Sequence, residues 1–283
     1  MPQADFDPRV SLPIGFKLKK HFYWRLAQFL QPVYKAAANG LCIRSNEKRI
    51  QTLHNAYTGK RCFIIGNGPS LNNLDLIKMK GEYTFGVNAI YTNFHKMQFY
   101  PTFHVVEDVF VAEDRAHEIN AFKQSVKFYG NYLRYCLHPD EKTLLLNVLA
   151  DYTPYADFPH FSTNALEALY VGGTVSYLCM QLAYFMGFDN VYLVGFDHAY
   201  QIPKSVILTN GNENILSTED DVNHFNKDYF GKGKRWHDPH VNRMEASYKK
   251  AKIYFEKEGR VIYNATAGGQ LEVFDRVNYN TLF

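Results

Sequence analysis

The chain of 283 residues is poor in the features that would settle its class at once. It has four cysteines, Cys42, Cys62, Cys136 and Cys179, far apart and with no C-x-x-C pair, which excludes a disulfide framework and implies free thiols in a reducing compartment. No apolar run approaches the ~18–20 residues that a membrane span needs. The opening through Pro13 is polar and proline-punctuated, so no signal peptide is expected and the protein is expected in the cytoplasm. There is no internal repeat and no low-complexity tract. Excess charge is also lacking: the net charge is +3, and residues 1–60 hold ten Lys/Arg against Asp5, Asp7 and Glu47, a local +7 that leaves −4 for the rest. A nucleic-acid binder is therefore not expected.

What the chain does have is aromatics, 16% with 21 Tyr and 22 Phe, which points first to an aromatic-rich core. It also has strands and helices in alternation. The predicted strands are 61–65, 83–88, 103–108, 126–130, 190–197 and 260–266. The predicted helices are 46–59, 71–80, 110–123, 139–150, 172–188 and 243–259. Solid apolar strands between helices predict an α/β, Rossmann-like, mostly parallel sheet flanked by helices over 46–283. Residues 201–236 are polar and weakly periodic, and read as a lid.

Residues 1–45 form a basic extension, helical over 16–38 until Pro32, with Phe22, Leu26, Phe29 and Leu30 on one face and Tyr23 and Trp24 beside them. Two readings stay open: peripheral attachment to the cytoplasmic face of an anionic inner membrane, or packing on the domain or on a second subunit of a homo-oligomer.

In a parallel sheet the ligand sits at the carboxyl ends of the strands. The first strand, RCFII, leaves through Gly66, Asn67, Gly68, Pro69 and Ser70, an exit that suits close approach of an anion to the backbone. It is neither G-x-G-x-x-G nor a P-loop. Other polar strand ends are Asn88, Glu107 with Asp108, Asp197, and Asn264 with Thr266; Gly173, Thr174 and Ser176 open a helix that can join them. Asp108 and Asp197 suit a metal carrying phosphates, ribose hydroxyls, or helix capping and ion pairing. His237 and His240 in RWHDPHVNR suit general base work. With His224 they also suit zinc, a reading weakened by the lack of a nearby cysteine.

The segments KRCFIIGNGPSL, PTFHVVEDVFVAEDRA, YFGKGKRWHDP and IYNATAGGQLEVFDRV resemble a family that includes the archaeal 6-hydroxymethylpterin pyrophosphokinases and the central domain of flagellin-modifying proteins. The resemblance covers roughly residues 45–280. GNGPSL and TVSYLCMQLAYFMGFDNVYLVGFD also resemble the bacterial sialyltransferases that use CMP-activated nonulosonic acids. That second resemblance implies a nucleotide near Asn67 and Gly68, donor contacts at Asn88, and the donor phosphate or carboxylate at Thr174. It further implies Tyr200 on the leaving phosphate, a lid over 201–236, and His237, or else His240, as the base. Three departures stand out. The expected Asn is Glu107-Asp108, the tyrosine follows Asp197 by three positions, and Gly172 replaces the arginine before the Thr.

The implied activity is a glycosyltransferase of cell-surface polysaccharide or lipopolysaccharide synthesis, with a nucleotide sugar as donor, a glycan or glycolipid as acceptor and no required cofactor. One alternative is a pyrophosphokinase with Mg²⁺ on Asp108 and Asp197. The other is a non-catalytic nucleotide-binding partner of a glycan assembly complex.

Overall fold

The computed structural model describes residues 13–42, 44–150, 159–209 and 214–283. The first twelve residues of the polar opening and residues 210–213 of the expected lid lie outside them.

The chain begins with helices α1 (Ile14–Phe29), α2 (Gln31–Ala38) and α3 (Ser45–Gln51). Strands β1 (Arg61–Ile65), β2 (Tyr83–Val87), β3 (Phe103–Val106), β4 (Val126–Gly130) and β5 (Thr143–Leu146) follow, with α4 (Phe94–Met97), α5 (Val109–Asp114) and α6 (Ala116–Ala121) in the crossovers. A two-stranded pair, β6 (Val148–Leu149) and β7 (Leu169–Tyr170), precedes α7 (Val175–Met186) and β8 (Asn190–Val194). After β9 (Ile207–Thr209), β10 (Asn214–Leu216) and β11 (Arg235–His237) come α8 (Val241–Lys257), β12 (Val261–Asn264) and β13 (Asp275–Arg276).

The eight-stranded main sheet has the order β13-β12-β8-β1-β2-β3-β4-β5, and every pairing in it is parallel. Why β1 is solidly apolar follows from its two covered faces. Cys62 and Ile64 pack in the core beneath α7 and α8, while Phe63 and Ile65 pack in a second core with Leu71, Met79 and Tyr279. Eleven of the twelve residues of α7 are buried, so its apolar character runs right round the helix.

Four expectations are corrected. Residues 139–150 are not helical: TLLL is the buried edge strand β5, and a short continuous apolar run does not distinguish strand from buried helix. Residues 71–80 form two 3₁₀ turns, Pro69–Asn73 and Leu76–Met79, instead of one helix, and Asn72 turns its amide away to the Phe225 carbonyl at 3.0 Å. The N-terminal helix does not stop at Pro32. It breaks at Leu30, and Pro32 stands in the first turn of α2, where a missing N–H costs nothing. Finally, the expected lid carries an antiparallel sheet, β9-β10-β11, with His237 on its last strand. Its strands are three residues each, too short for periodicity to reveal.

Candidate functional site

Chain order reverses between β1 and β8. Strands β2 to β5 extend to one side of β1, and β8, β12 and β13 to the other. The loops leaving β1 and β8 therefore frame a crevice at the switch point. A cleft of about 590 Å³ opens there, lined by Gly66, Asn67, Gly68, Asn88, Asp108, Gly173, Thr174, Ser176, Asp197, Tyr200, His237 and His240. Pro69 and Ser70 stand just behind it. Ser70 is buried; its Oγ donates to Asp197 Oδ2 at 2.6 Å and its N–H to Oδ1 at 3.1 Å.

This bond explains the glycines. A Cβ on Gly68 would lie 1.8 Å from Asp197 Oδ2 and 2.8 Å from the Gly195 carbonyl oxygen; one on Gly66 would lie 2.5 Å from that same oxygen. The glycines let the two loops touch, and the Gly68 N–H donates to Gly195 O at 3.0 Å. Both loops are thereby held at the cleft floor.

Two carboxamides face that floor. Asn67 Nδ2 donates to Tyr229 Oη at 2.9 Å and to the Val87 carbonyl at 3.3 Å, which fixes the amide's orientation. Asn88 is left-handed, with φ 51°, an uncommon state for a non-glycine residue that gathers at functional sites. Its backbone carbonyl sits 2.6 Å from His104 Nε2, and burial lowers that imidazole to about 4 and keeps it neutral. The buried Oδ1 atoms of Asn67 and Asn88 have no hydrogen-bond partner among the described residues. Two orphaned acceptors at one floor call for a ligand that donates, such as ribose hydroxyls or a base amine.

Hydroxyls gather at the start of α7. Thr174 caps the helix, accepting from the Ser176 N–H at 3.3 Å. Tyr248 of α8 is buried in the same cleft wall; burial first, then Tyr200, push its hydroxyl above the usual tyrosine range. Tyr200 is pushed up to about 12, by desolvation and then by Asp197 and Asp221, so it is a neutral donor at pH 7. Arg243, also from α8, lies against Gly173: a Cβ there would meet its Cδ at 3.1 Å. Gly172, which stands where the sialyltransferase-like pattern has an arginine, is thus next to a residue whose neighbour in space is an arginine. Helix N-terminus, hydroxyls and guanidinium together suit an anion. Sequence reasoning missed Arg243 and Tyr248, because nothing in the spacing of α8 shows that α8 crosses the start of α7.

Four histidines line the cleft. His237 is exposed and stacks on Phe110, centroids 4.3 Å apart; His240 is the exposed residue that precedes α8. His198 is left-handed at φ 53°, and its burial lowers its pKa against the pull of Glu245. His224 differs from these: its Nδ1 is 2.7 Å from Oδ2 of buried Asp221, and its ring stacks on Tyr229 at 4.2 Å. Burial works to raise the Asp221 carboxyl, but hydrogen bonds from His224 and from the N–H groups of Asn223 and Phe230 outweigh it and hold it below its ordinary value. A carboxylate on Nδ1 fixes the tautomer and leaves Nε2 to accept a proton, the arrangement of an oriented base. The D-x-x-H spacing of Asp221 and His224 was the available signal, but it is too common to stand out.

Two further carboxyls have partners. Asp108 caps α5, its Oδ1 accepting from Phe110 N and Val111 N, and Asp197 is bound to Ser70. Among the described residues no group of three His, Cys, Asp or Glu is placed to hold a metal. Glu107, in the cleft wall, is pushed up to about 8 by desolvation and then by Asp108. Trp24 of α1 reaches the same wall, stacked on Tyr132 at 4.4 Å.

The chain belongs to the 6-hydroxymethylpterin diphosphokinase MptE-like family, whose profile matches residues 39–203. None of the curated proteins matches it. Among solved structures it is similar to the MAf glycosyltransferase from Magnetospirillum magneticum AMB-1, with 14% identity and a TM-score of 0.49 over 83% of this chain. It spans only 38% of that chain.

Proposed function

Starting from this family and this cleft, we propose that the chain is a glycosyltransferase. It moves a sugar from a nucleotide-activated donor, with a CMP-linked acidic sugar as the first candidate, to a hydroxyl of a glycan or glycolipid. The observation that carries this reading is that His224, held from behind by Asp221, and the Thr174–Ser176–Tyr248–Arg243 group line one cleft. A displacement at an anomeric carbon needs a base at one end and a stabilised leaving phosphate at the other.

In this mechanism Asn67 and Asn88 accept hydrogen bonds from the nucleoside. Arg243, Tyr200 and the start of α7 hold the phosphate. His224 Nε2 takes the proton of the acceptor hydroxyl as its oxygen bonds to the anomeric carbon. The bond from that carbon to the phosphate oxygen breaks, and the electron pair leaves with the nucleotide, whose new charge meets Arg243 and the Tyr200 hydroxyl. Asp221 stabilises the imidazolium that forms. The 201–236 segment, bonded to the β1 loop through Tyr229, keeps water from the donor.

A thermal-shift panel of CMP, CDP, UDP, GDP and ATP, each with and without Mg²⁺, tests the reading. A ligand at a hundred times its Kd stabilises by about 2.7 kcal/mol. The expected result is stabilisation by a cytidine nucleotide without Mg²⁺, lost in Arg243→Ala. Stabilisation by ATP with Mg²⁺ alone would instead support diphosphoryl transfer, the activity in the family's name.

A further inference from the structure

Helix α1 has two faces, and the outer one carries an apolar stripe. Its inner face is well partnered. Phe16 meets Tyr135 edge-on at 5.3 Å, Trp24 stacks on Tyr132, Tyr23 lies under Arg134 at 5.2 Å, and Lys20 pairs with Glu113 at 2.8 Å. This corrects the expected face, since Tyr23 and Trp24 pack on the domain. The outer face carries Ile14, Leu18, Phe22 and Phe29, exposed at 78%, 66%, 59% and 80%. At about 100° per residue these four fall within an arc of roughly 80°. A helix on a protein in water normally turns charge outward and keeps its apolar stripe for the core.

The charges beside the stripe are of one sign. Exposed Lys17, Lys19 and Arg25 border or interrupt it, and no acidic residue occurs from Pro13 to Asn46. We infer that the outer face of α1 docks on an anionic lipid bilayer, lying in the interface with Ile14, Leu18, Phe22 and Phe29 among the acyl chains and the three cations at the headgroups. A helix of 16 residues that carries these cations lies on a membrane rather than across it, and among the described residues no helix is long and apolar enough to cross one. A second copy is the poorer occupant: a two-fold contact through this stripe would bring Lys17, Lys19 and Arg25 of both copies together with no acid to meet them.

Co-sedimentation of the full chain with vesicles tests this, using phosphatidylcholine alone and phosphatidylcholine with phosphatidylglycerol. The chain is expected to pellet with the anionic vesicles and to be released by salt. Leu18→Glu with Phe22→Glu should abolish pelleting, while the melting temperature stays unchanged because both side chains are exposed. Lys17→Gln, Lys19→Gln and Arg25→Gln together should weaken binding roughly a hundredfold. No pelleting with anionic vesicles would overturn the inference. So would equal pelleting with neutral ones, or a dimer in light scattering that Phe22→Glu converts to monomer.

Discussion

Asn67 and Tyr229 are 162 residues apart in sequence and joined at 2.9 Å, side chain to side chain, between the exit of the first strand and the segment over the cleft. The same contact region includes the Phe225 N–H donating to the Asn67 carbonyl at 2.8 Å. One residue thus holds the cover and offers its remaining amide oxygen to a ligand. Tyr229→Phe removes the first role only, and should cost roughly 0.5–1.5 kcal/mol of stability, read from urea unfolding. Asn67→Ala should cost a similar amount and also weaken nucleotide affinity well beyond the effect of Tyr229→Phe. Equal affinities in the two variants would mean that Asn67 serves the cover alone.

The four cleft histidines separate by kinetics. His224→Ala should lower kcat by about 10²–10⁴ with donor affinity retained, the usual range for losing a general base. Asp221→Asn should also lower it, because the carboxylate that orients the imidazole is gone. His237→Ala and His240→Ala should each cost less than tenfold. A dominant loss at His237 would move the base to β11, the position that the sialyltransferase resemblance implies.

Glu107 makes a prediction about pH. Its folded value of about 8 lies above the unfolded carboxyl value of about 4.3. Between these the folded state binds the extra proton, so this group's contribution to stability is full below about pH 4 and is lost as pH rises toward 8. His104, lowered to about 4, acts oppositely: its penalty disappears as pH rises through 6.5. The two overlap, so the measurement is a difference. The melting temperature of the wild type minus that of Glu107→Gln should decline from pH 5 to pH 8 and then level off. A flat difference would place Glu107 in ordinary solvent.

Much of the site was legible because punctuation is local. RCFII followed by GNGPS marks a buried strand and its exit within ten residues, and Asn88, Asp108 and Asp197 could be placed at strand ends in the same way. The reason for Gly68 was not legible, since it depends on Asp197, a residue of another strand. Arg243 reaches the start of α7 only through helix packing, and Trp24 reaches the cleft wall from outside the segment that carries the family resemblance. Residues 143–146 failed for a different reason: Thr-Leu-Leu-Leu satisfies a buried strand and a buried helix equally, and only the free edge of β4 decides.

Buried Glu113 receives Lys20 of α1 at 2.8 Å, Arg235 of β11 at 3.0 Å and the Tyr135 hydroxyl at 2.7 Å. Three stretches far apart in the chain thus share one counter-ion. For anyone recombining this protein with its relatives, that makes them a single inheritance unit. A chimera that imports the cover segment without an arginine at position 235, or that trades away the first helix, leaves this buried carboxylate with one cation instead of two, and one that loses both leaves it with the Tyr135 hydroxyl alone, where an uncompensated buried charge costs about 3–5 kcal/mol. Crossover points that keep residues 20, 113 and 235 from one parent should yield folded chimeras far more often than points that divide them.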